Sequence, residues 1–305
     1  MTRAPVLASC SVVAYANLPE QIERLLRGVS GSWPRLLTYL IENSSEDSLR
    51  SLAPRYQALY WHQPDNPGFG RSHNRAMRAA MEAGSRYHFV LNPDMYFSED
   101  SFPRLLAYME SQADVAMLSP RICFPDGRLQ PLCKLLPAPI GLATRRFLPW
   151  LHRRTGLQRD YEMHASGYDR IMDVPVLSGC FMLIRTDALA RAGLFDERFF
   201  LYFEDVDLSR RLARVGRTVF YPHVTVMHEY GRGSYRDWRL LCHHSASAVR
   251  YFNKWGWWFD EERERVNARA RQHLACERRC RRGHRRRRGR GALVSLSKAA
   301  RRKDR

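Results

Sequence analysis

The sequence has no apolar run long enough to cross a membrane. Its 305 residues contain no stretch of about 18 consecutive apolar residues, the length a transmembrane helix needs. The first residues also lack a basic segment followed by a long apolar one, so we expect no signal peptide at the start of this sequence. The pattern predicts a protein without a membrane span.

The sequence also lacks a disulfide framework. Its seven cysteines are an odd number and show no paired spacing. Free thiols persist in a reducing compartment, so we predict a cytoplasmic protein without disulfides. His273, Cys276, Cys280 and His284 would share one helix face, and a zinc site made from two or three of them is an alternative that matches no common zinc motif.

Several catalytic and nucleotide-binding fingerprints are absent. No Gly-x-Ser-x-Gly surrounds Ser178 or Cys180, which excludes both as hydrolase nucleophiles. The glycine-containing segment at residues 66–74 has neither the P-loop lysine nor a Gly-x-Gly-x-x-Gly pattern. Its backbone N–H groups and Arg71 could still meet a phosphate. The alternative is an ordinary loop with a helix cap.

The sequence has fewer acidic than basic residues. The chain has 50 Lys and Arg against 31 Asp and Glu, a net charge of +19. Residues 261–305 hold 18 basic and 5 acidic residues, so about +13 of this excess lies in one tail. An arginine-rich tail after an aromatic-rich segment suits an anionic membrane surface. The alternatives are a disordered solubilising tail and nucleic-acid binding through Arg281 to Arg290.

The first hundred residues alternate between short apolar runs and helical patterns. This alternation predicts a parallel, doubly wound α/β sheet, whose ligands bind beyond the carboxyl ends of the strands. Polar clusters follow the predicted strands and should gather at that edge. The predicted strands are 6–14, 36–41, 58–62 and 87–91, the helices are 18–29 and 68–83, and the polar clusters are 15–17, 42–47, 65–74 and 92–94.

The remainder of the chain is less regular. We predict a basic, proline-rich insertion or loop at 131–172 and a helix with a broad apolar face at 238–259. The predicted strands are 115–120, 122–124, 174–185, 218–221 and 224–227, and the helices are 101–109, 188–193 and 208–215. We expect a domain at 1–235, an amphipathic, aromatic-rich helix at 236–260 that packs on the domain or a membrane, and a basic tail at 261–305.

Three carboxylates crowd one short stretch after an aromatic run. Glu204, Asp205 and Asp207 follow the segment Phe199 to Phe203. Carboxylates beside aromatics are costly unless a metal, a cation or a proton transfer uses the charge. The alternative is a helix start, where acidic residues complement the helix dipole.

Two further residues could bind a metal. Asp94 ends a predicted strand in Asn92-Pro93-Asp94, where a carboxylate can hold a divalent cation. A simple Pro-Asp turn is the alternative. His228 follows the last predicted strand and could be a metal ligand, a donor to phosphate or a structural residue.

In their order along the chain, these segments resemble glycosyltransferase family 2, the inverting enzymes of the GT-A fold. They are most similar to a bacterial rhamnosyltransferase-like branch that builds cell-surface polysaccharide, such as cell wall or O-antigen. The resemblance covers about residues 5–258. The matching segments are 12–17, 42–45, 66–70, His73-Asn74, 90–94, 177–182, 193–197, 204–207, His228 and Gly233-Ser234.

The resemblance implies a Rossmann-like, mostly parallel sheet flanked by helices, with a C-terminal helical, basic extension. It assigns Asp205 as catalytic base and Asp94 with His228 as ligands of Mg²⁺ or Mn²⁺, with Glu204 and Asp207 in support. Two positions depart from the family pattern, because Asn92 replaces a carboxylate and Glu42 replaces an aspartate. The residues implied in nucleotide-sugar binding are Tyr15, Asn17, Glu42, Asn43, Gly68, Gly70, Asn74, Asn92 and Gly179.

The implied reaction is a direct displacement at an anomeric carbon. It needs a base for the acceptor hydroxyl and a cation for the departing diphosphate. We expect rhamnose transfer from dTDP-L-rhamnose to a polyprenyl-diphosphate-linked glycan at the inner face of the bacterial plasma membrane. The alternatives are another nucleotide-sugar donor, such as a UDP-linked one, and an inactive transferase-like protein that binds nucleic acid.

Overall fold

The computed structural model describes residues 8–33, 35–147, 154–229 and 238–274 and shows one central sheet flanked by helices. The strands are β1 (Ala8–Ala14), β2 (Leu37–Glu42), β3 (Leu59–His62), β4 (Tyr87–Leu91), β5 (Met95–Tyr96), β6 (Val115–Cys123), β7 (Met172–Asp173), β8 (Phe181–Arg185) and β9 (Arg217–His228). The helices are α1 (Pro19–Ser32), α2 (Leu52–Arg55), α3 (Phe69–Glu82), α4 (Ser101–Ser111), α5 (Pro139–Phe147), α6 (Leu157–Tyr161), α7 (Thr186–Ala192), α8 (Glu204–Leu212), α9 (Trp238–Trp255) and α10 (residues 261–274). The predicted α/β fold class is confirmed.

The N-terminal half of the sheet is parallel, as predicted. The strand order is β3-β2-β1-β4-β8-β6-β9-β5, with β7 paired to β9. All seven residues of β1 are buried, since β1 lies between β2 and β4 and both faces are covered. In α1, Ile22, Leu25, Leu26 and Val29 form the buried stripe, and Pro19 suits the first helical turn.

The second half of the sheet is mixed rather than parallel. The predicted strand at 174–185 is shorter in the structure, because only β8 joins the sheet, antiparallel to β4 and β6. Upstream of β8 the chain leaves the sheet, and Val176 forms an isolated bridge with Lys134. Gly179 ends this excursion, and its N–H bonds to a side chain instead of a strand.

Two predicted strand pairs are each one continuous strand. Residues 115–123 form β6 and residues 217–228 form β9, which lie parallel to each other. Their register shifts between Pro120 and Arg121, since proline cannot donate to the ladder. The predicted loop at 131–172 contains α5, α6 and a short 3₁₀ turn, and the buried Tyr168 hydroxyl ties it together by donating to Glu162 O at 2.6 Å.

The C-terminal helices pack on the domain. Gly256, with φ +101°, separates α9 from α10. Residues 261–274 fall in the predicted tail, yet α10 buries Ala270 and Leu274 against the fold. Arg210 of α8 donates to both carboxylate oxygens of Asp260, at 2.7 and 2.6 Å. The basic residues beyond 274 lie outside the described residues.

The ion pair between Arg210 and Asp260 should be essential for docking α10. Asp260→Ala leaves a buried guanidinium short of its main partner, so we expect the free energy of unfolding to fall by about 3–5 kcal/mol. The matched control is Asp160→Ala, which breaks the exposed pair with Arg271 and should cost about 1 kcal/mol or less. Urea unfolding measures both. Equal losses would contradict the assignment.

Candidate active site

The carboxyl ends of the parallel strands bring the predicted polar loops together. Ala14 pairs with Glu42, and Val12 pairs with Leu91, so β1, β2 and β4 end at one edge. The Asn43 N–H donates to Ala14 O at 2.8 Å, and the Ala16 N–H donates to Ser44 Oγ at 2.9 Å. The loops after these strands therefore converge on one sheet edge, as expected. We call this edge, with Asp94 and Asp205, the catalytic cleft.

Asp205 is the second residue of α8 and is half-buried. Its Oδ2 accepts a hydrogen bond from the Gly179 N–H at 3.1 Å, and its Oδ1 accepts one from the Val206 N–H at 2.8 Å. A Cβ added to Gly179 would lie 3.3 Å from the Asp205 Cβ. The helix N-terminus favours the charged carboxylate. The segment before β8 therefore fixes the position of Asp205.

A strained turn precedes this carboxylate. Tyr202 and Phe203 have φ values of +69° and +67°, which non-glycine residues rarely adopt. Helix α9 braces the turn, since the Ser247 hydroxyl donates to Leu201 O at 2.8 Å and His244 contacts the Phe203 ring. Such strain persists only where the surroundings enforce it, and it often marks functional sites.

Asp207 is a buried carboxylate with several partners. Its side chain is fully buried and pairs with Arg211 at 2.8 Å and with Lys254 at 2.7 Å. The indole N–H of Trp255 also donates to it at 2.8 Å. Asp207 therefore joins α8 to α9, and its charge is compensated within the fold.

Glu204 is a buried carboxyl beside Asp205. Burial raises its pKa well above the usual 4.5, and the Asp205 charge raises the pKa further. Its Oε2 has no hydrogen-bond partner among the residues that the structure describes. Burial therefore favours the protonated form of Glu204, while Asp205 is the more exposed carboxyl of the two.

Asp94 and His228 face each other. Gln130 fixes the histidine, since its Nε2 donates to His228 O at 2.7 Å and its Oε1 accepts from His228 Nδ1 at 2.9 Å. His228 Nε2 lies 3.2 Å from Asp94 Oδ1 and 3.4 Å from Asn92 Nδ2. Asp94 Oδ1 is buried and accepts no hydrogen bond from the described residues. A carboxylate oxygen and an imidazole nitrogen that face one common position are suitable ligands for a divalent cation.

Other metal assignments find no support in the described ranges. No group of three or more His, Cys, Asp or Glu side chains there could hold a metal ion, so Asp94 and His228 would need ligands from a bound molecule or water. His273 is exposed on α10, and Cys276, Cys280 and His284 lie outside the described residues. The five cysteines of the described part are all free thiols, as predicted.

Lys134 is a site residue that sequence reasoning missed. Burial raises the pKa of the Cys180 thiol to about 12, the charges of Asp94 and Asp205 raise it, and the charge of Lys134 lowers it. Val176, the bridge partner of Lys134, lies three residues before the Gly179 that bonds to Asp205, which places Lys134 on the side of this carboxylate. The backbone bridge to Val176 holds Lys134 there, with N–H···O distances of 3.0 Å in both directions. No sequence pattern pointed to Lys134 or Gln130 as site residues, because they lie in or next to the segment at 131–172, which has no clear periodicity.

Tyr15 and Asn17 form the first turn at the cleft. Asn17 Oδ1 accepts from the Tyr15 N–H at 2.9 Å, and Asn17 Nδ2 donates to Gln21 at 2.8 Å. The Tyr15 ring is 62% exposed. It is therefore available to stack on a planar group.

Glu42 and Asn43 point into the fold. The Glu42 carboxylate accepts from Ser48 Oγ at 2.7 Å, from the Leu49 N–H at 3.0 Å and from the Tyr60 hydroxyl. Asn43 Oδ1 accepts from Ser72 Oγ at 3.0 Å. These bonds order the loop after β2, so both residues shape the cleft, and the structure does not support a direct nucleotide contact for Glu42.

The glycine-containing segment packs on the stretch that leads to Asp205. A Cβ on Gly68 would lie 2.5 Å from Phe200 O, and one on Gly70 would lie 3.0 Å from the Phe195 Cβ. Asn74 is buried on α3, and its amide bonds to Phe195 N and O at 2.9 and 2.8 Å. The helix register turns Asn74 away from the cleft, so a nucleotide contact for Asn74 is not supported.

Comparison with known proteins adds a family and a fold. The sequence profile of the family described as "Glycosyltransferase like family 2" matches residues 9–243. The N-acetylglucosaminyl-diphospho-decaprenol L-rhamnosyltransferase of Mycobacterium tuberculosis is 30% identical over 278 residues, which are 83% of this chain and 86% of that protein. Rhamnosyltransferase WbbL of Escherichia coli is 23% identical over 207 residues, 66% of this chain and 75% of that protein.

A solved structure has the same fold. The mannosyltransferase of Pyrobaculum calidifontis in complex with GDP-Man and Mn²⁺ superposes with a TM-score of 0.54 at 17% identity. The match covers 82% of this chain and 65% of that one. At this identity the likeness shows the fold alone.

The close approach at Gly68 gives a stability test. Gly68→Ala adds a Cβ against Phe200 O at a φ of +97°, whereas Gly84→Ala adds one at +76° with no atom within 4 Å. We expect Gly84→Ala to cost about 1–2 kcal/mol for the left-handed backbone. Gly68→Ala should cost about 1–3 kcal/mol more because of the clash. Urea unfolding compares the two, and equal costs would refute the packing role.

Proposed function

Since the chain belongs to glycosyltransferase family 2, we propose that it is an inverting, metal-assisted rhamnosyltransferase. The proposed donor is dTDP-L-rhamnose, and the acceptor is a polyprenyl-diphosphate-linked glycan. One observation carries the proposal. Asp205, a half-buried carboxylate at a helix start, accepts a 3.1 Å hydrogen bond from the Gly179 N–H, and the next residue, Cys180, accepts one at 2.8 Å from the Asn92 N–H, two residues before Asp94.

The proposed chemistry is a single displacement. Asp205 takes the proton from an acceptor hydroxyl while that oxygen attacks the anomeric carbon of the donor. The bond from this carbon to the nucleoside diphosphate breaks on the opposite face, so the anomeric configuration inverts. The burial of Glu204 supports this role, because it raises the pKa of Glu204 and leaves Asp205 as the more exposed carboxyl of the pair.

A divalent cation fits beside the base. Mg²⁺ or Mn²⁺ would supply positive charge to the departing diphosphate. Asp94 Oδ1 and His228 Nε2 would hold it, since both are turned to one point and Gln130 fixes the histidine tautomer. The Mn²⁺ in the Pyrobaculum structure supports this assignment by likeness of fold. Lys134 adds a second cation to the cleft.

The donor assignment rests on the relatives' names. Two relatives are named as rhamnosyltransferases. In this chain the exposed Tyr15 ring is the proposed stacking surface for the nucleotide base, and Asn17 holds the turn that carries it. Another nucleotide sugar fits the same geometry. Thermal stabilisation by each of a panel of nucleotide sugars with Mn²⁺ separates the donors.

The acceptor assignment includes a membrane surface. The mycobacterial relative is named for a diphospho-decaprenol substrate. In the described ranges no helix is long and apolar enough to span a bilayer. The corner between α9 and α10 instead exposes Trp257, Trp258 and Phe259, at 37%, 61% and 95%. Aromatics of this kind suit the membrane interface, so we propose peripheral attachment at the inner face, helped by the basic tail.

The base assignment predicts a loss of turnover without a loss of donor binding. Asp205→Asn keeps the shape of the side chain and removes the proton acceptor. We expect the rate of rhamnosyl transfer to fall at least about 100-fold, in the range of general-base effects. The dissociation constant for the donor, from calorimetry, should stay within about twofold. Asp126→Asn in an exposed turn is the control and should leave both unchanged. Full activity of Asp205→Asn would contradict the assignment of Asp205 as the base.

The metal assignment predicts a variant whose donor affinity does not depend on the cation. Asp94→Ala should bind dTDP-L-rhamnose equally with Mn²⁺ and with EDTA, whereas the wild type binds more tightly with Mn²⁺. Gln130→Ala frees the histidine ring and should weaken Mn²⁺ binding about 10-fold or more. Calorimetry with and without Mn²⁺ measures both. A Mn²⁺ response in Asp94→Ala as large as in the wild type would refute the site.

A further inference from the structure

A second concave site lies outside the catalytic cleft. Residues 135–138, α5, α6 and α10 enclose a cavity of about 240 Å³. Its wall is mainly apolar and includes Leu135, Pro137, Gly141, Leu142 and Leu157. An apolar cavity of about 150 Å³ already admits benzene. This one is large enough for a short branched hydrocarbon segment.

The mouth of the cavity is both apolar and basic. Ile140 and Leu157 lie there with 64% and 49% of their surface exposed. Arg271 pairs with Asp160 at 2.9 Å, while Arg145 lies over the Tyr161 ring at 5.3 Å. In the part of the chain that the structure describes, Arg145 has no carboxylate partner. The mouth therefore suits an amphiphile with an anionic head and a hydrocarbon tail.

The chain connects this cavity directly to the catalytic cleft. Lys134 pairs with Val176, three residues before the Gly179 that bonds to Asp205, and it immediately precedes the cavity wall. Three extended residues span at most about 10 Å, so the wall at Pro137 begins close to the cleft. The backbone of Leu136 is fixed on α10 by two hydrogen bonds with the Asn267 side chain, at 2.8 and 2.9 Å.

We propose that this cavity takes the first isoprene units of a polyprenyl-diphosphate-linked acceptor, with Lys134 and Arg145 facing its diphosphate. The inference rests on the proposed function and deepens it. A sugar at Asp205, a diphosphate at Lys134 and a prenyl chain in the cavity follow the order of the groups in such a lipid.

Gly141 provides the test. It lines the cavity, and a Cβ built on it meets no atom within 4 Å. Gly141→Phe should therefore fill cavity space without a backbone clash, while Gly141→Ala adds only a methyl group. Farnesyl diphosphate is titrated into the full chain by calorimetry. We expect the wild type and Gly141→Ala to bind alike and Gly141→Phe to bind at least 10-fold more weakly.

Inorganic diphosphate and palmitate are the controls for the head and the tail. Diphosphate binding should be the same in all three proteins. Ile140→Asp at the exposed mouth is a second variant that does not disturb the core, and it should also weaken farnesyl diphosphate at least 10-fold. Unchanged farnesyl diphosphate affinity in both Gly141→Phe and Ile140→Asp would overturn the proposal. Palmitate binding as tightly as farnesyl diphosphate would also overturn it.

Failure of the proposed function is distinguishable. A wild type that binds farnesyl diphosphate through the cavity but transfers no rhamnose refutes the rhamnosyltransferase and keeps the lipid site. A wild type that transfers rhamnose, with Gly141→Phe equally active on prenyl-linked and on methyl-linked acceptor, refutes the lipid site alone.

Discussion

The hydrogen bond from the Gly179 N–H to Asp205 joins two distant parts of the chain, and the active site depends on it. Gly179 can donate because the chain leaves the sheet before β8. Asp205 can accept because a left-handed turn at Tyr202 and Phe203 starts α8 at that point. Two contacts hold the segment before this turn. Gly68, just before α3, packs against Phe200, and Ser247 of α9 donates a hydrogen bond to Leu201 O. Much of the C-terminal half therefore serves to hold one carboxylate in place.

The neighbouring acids Glu204, Asp205 and Asp207 differ in their surroundings, and this difference gives each a different role. Asp207 is buried among Arg211, Lys254 and Trp255, so its charge is compensated. Glu204 is buried without such partners, so burial raises its pKa. Asp205 alone stays half-exposed and hydrogen-bonded to backbone N–H groups. The three acids therefore divide their roles, and only Asp205 is placed to accept a proton.

The sequence predicted those features that depend on local pattern. The strands from β1 to β4, the convergence of their loops and the helix at Asp205 follow from periodicity and strand ends. Long-range contacts decided the rest. Asn74 and Glu42 carry polar groups typical of a binding site, yet each finds its partners inside the fold. Lys134 reaches the cleft only through a backbone bridge to Val176, a contact 42 residues away in sequence that no periodicity encodes.

The stereochemistry of transfer tests the central claim most directly. A single proton acceptor at the reacting carbon allows one displacement and no covalent sugar–enzyme intermediate. Proton NMR of the product formed from dTDP-L-rhamnose and a diphosphate-linked acceptor reports the anomeric configuration of the new bond. The account predicts a configuration opposite to that of the donor. Retention of the donor configuration would contradict it, because retention needs a second displacement that Asp205 as a base does not provide.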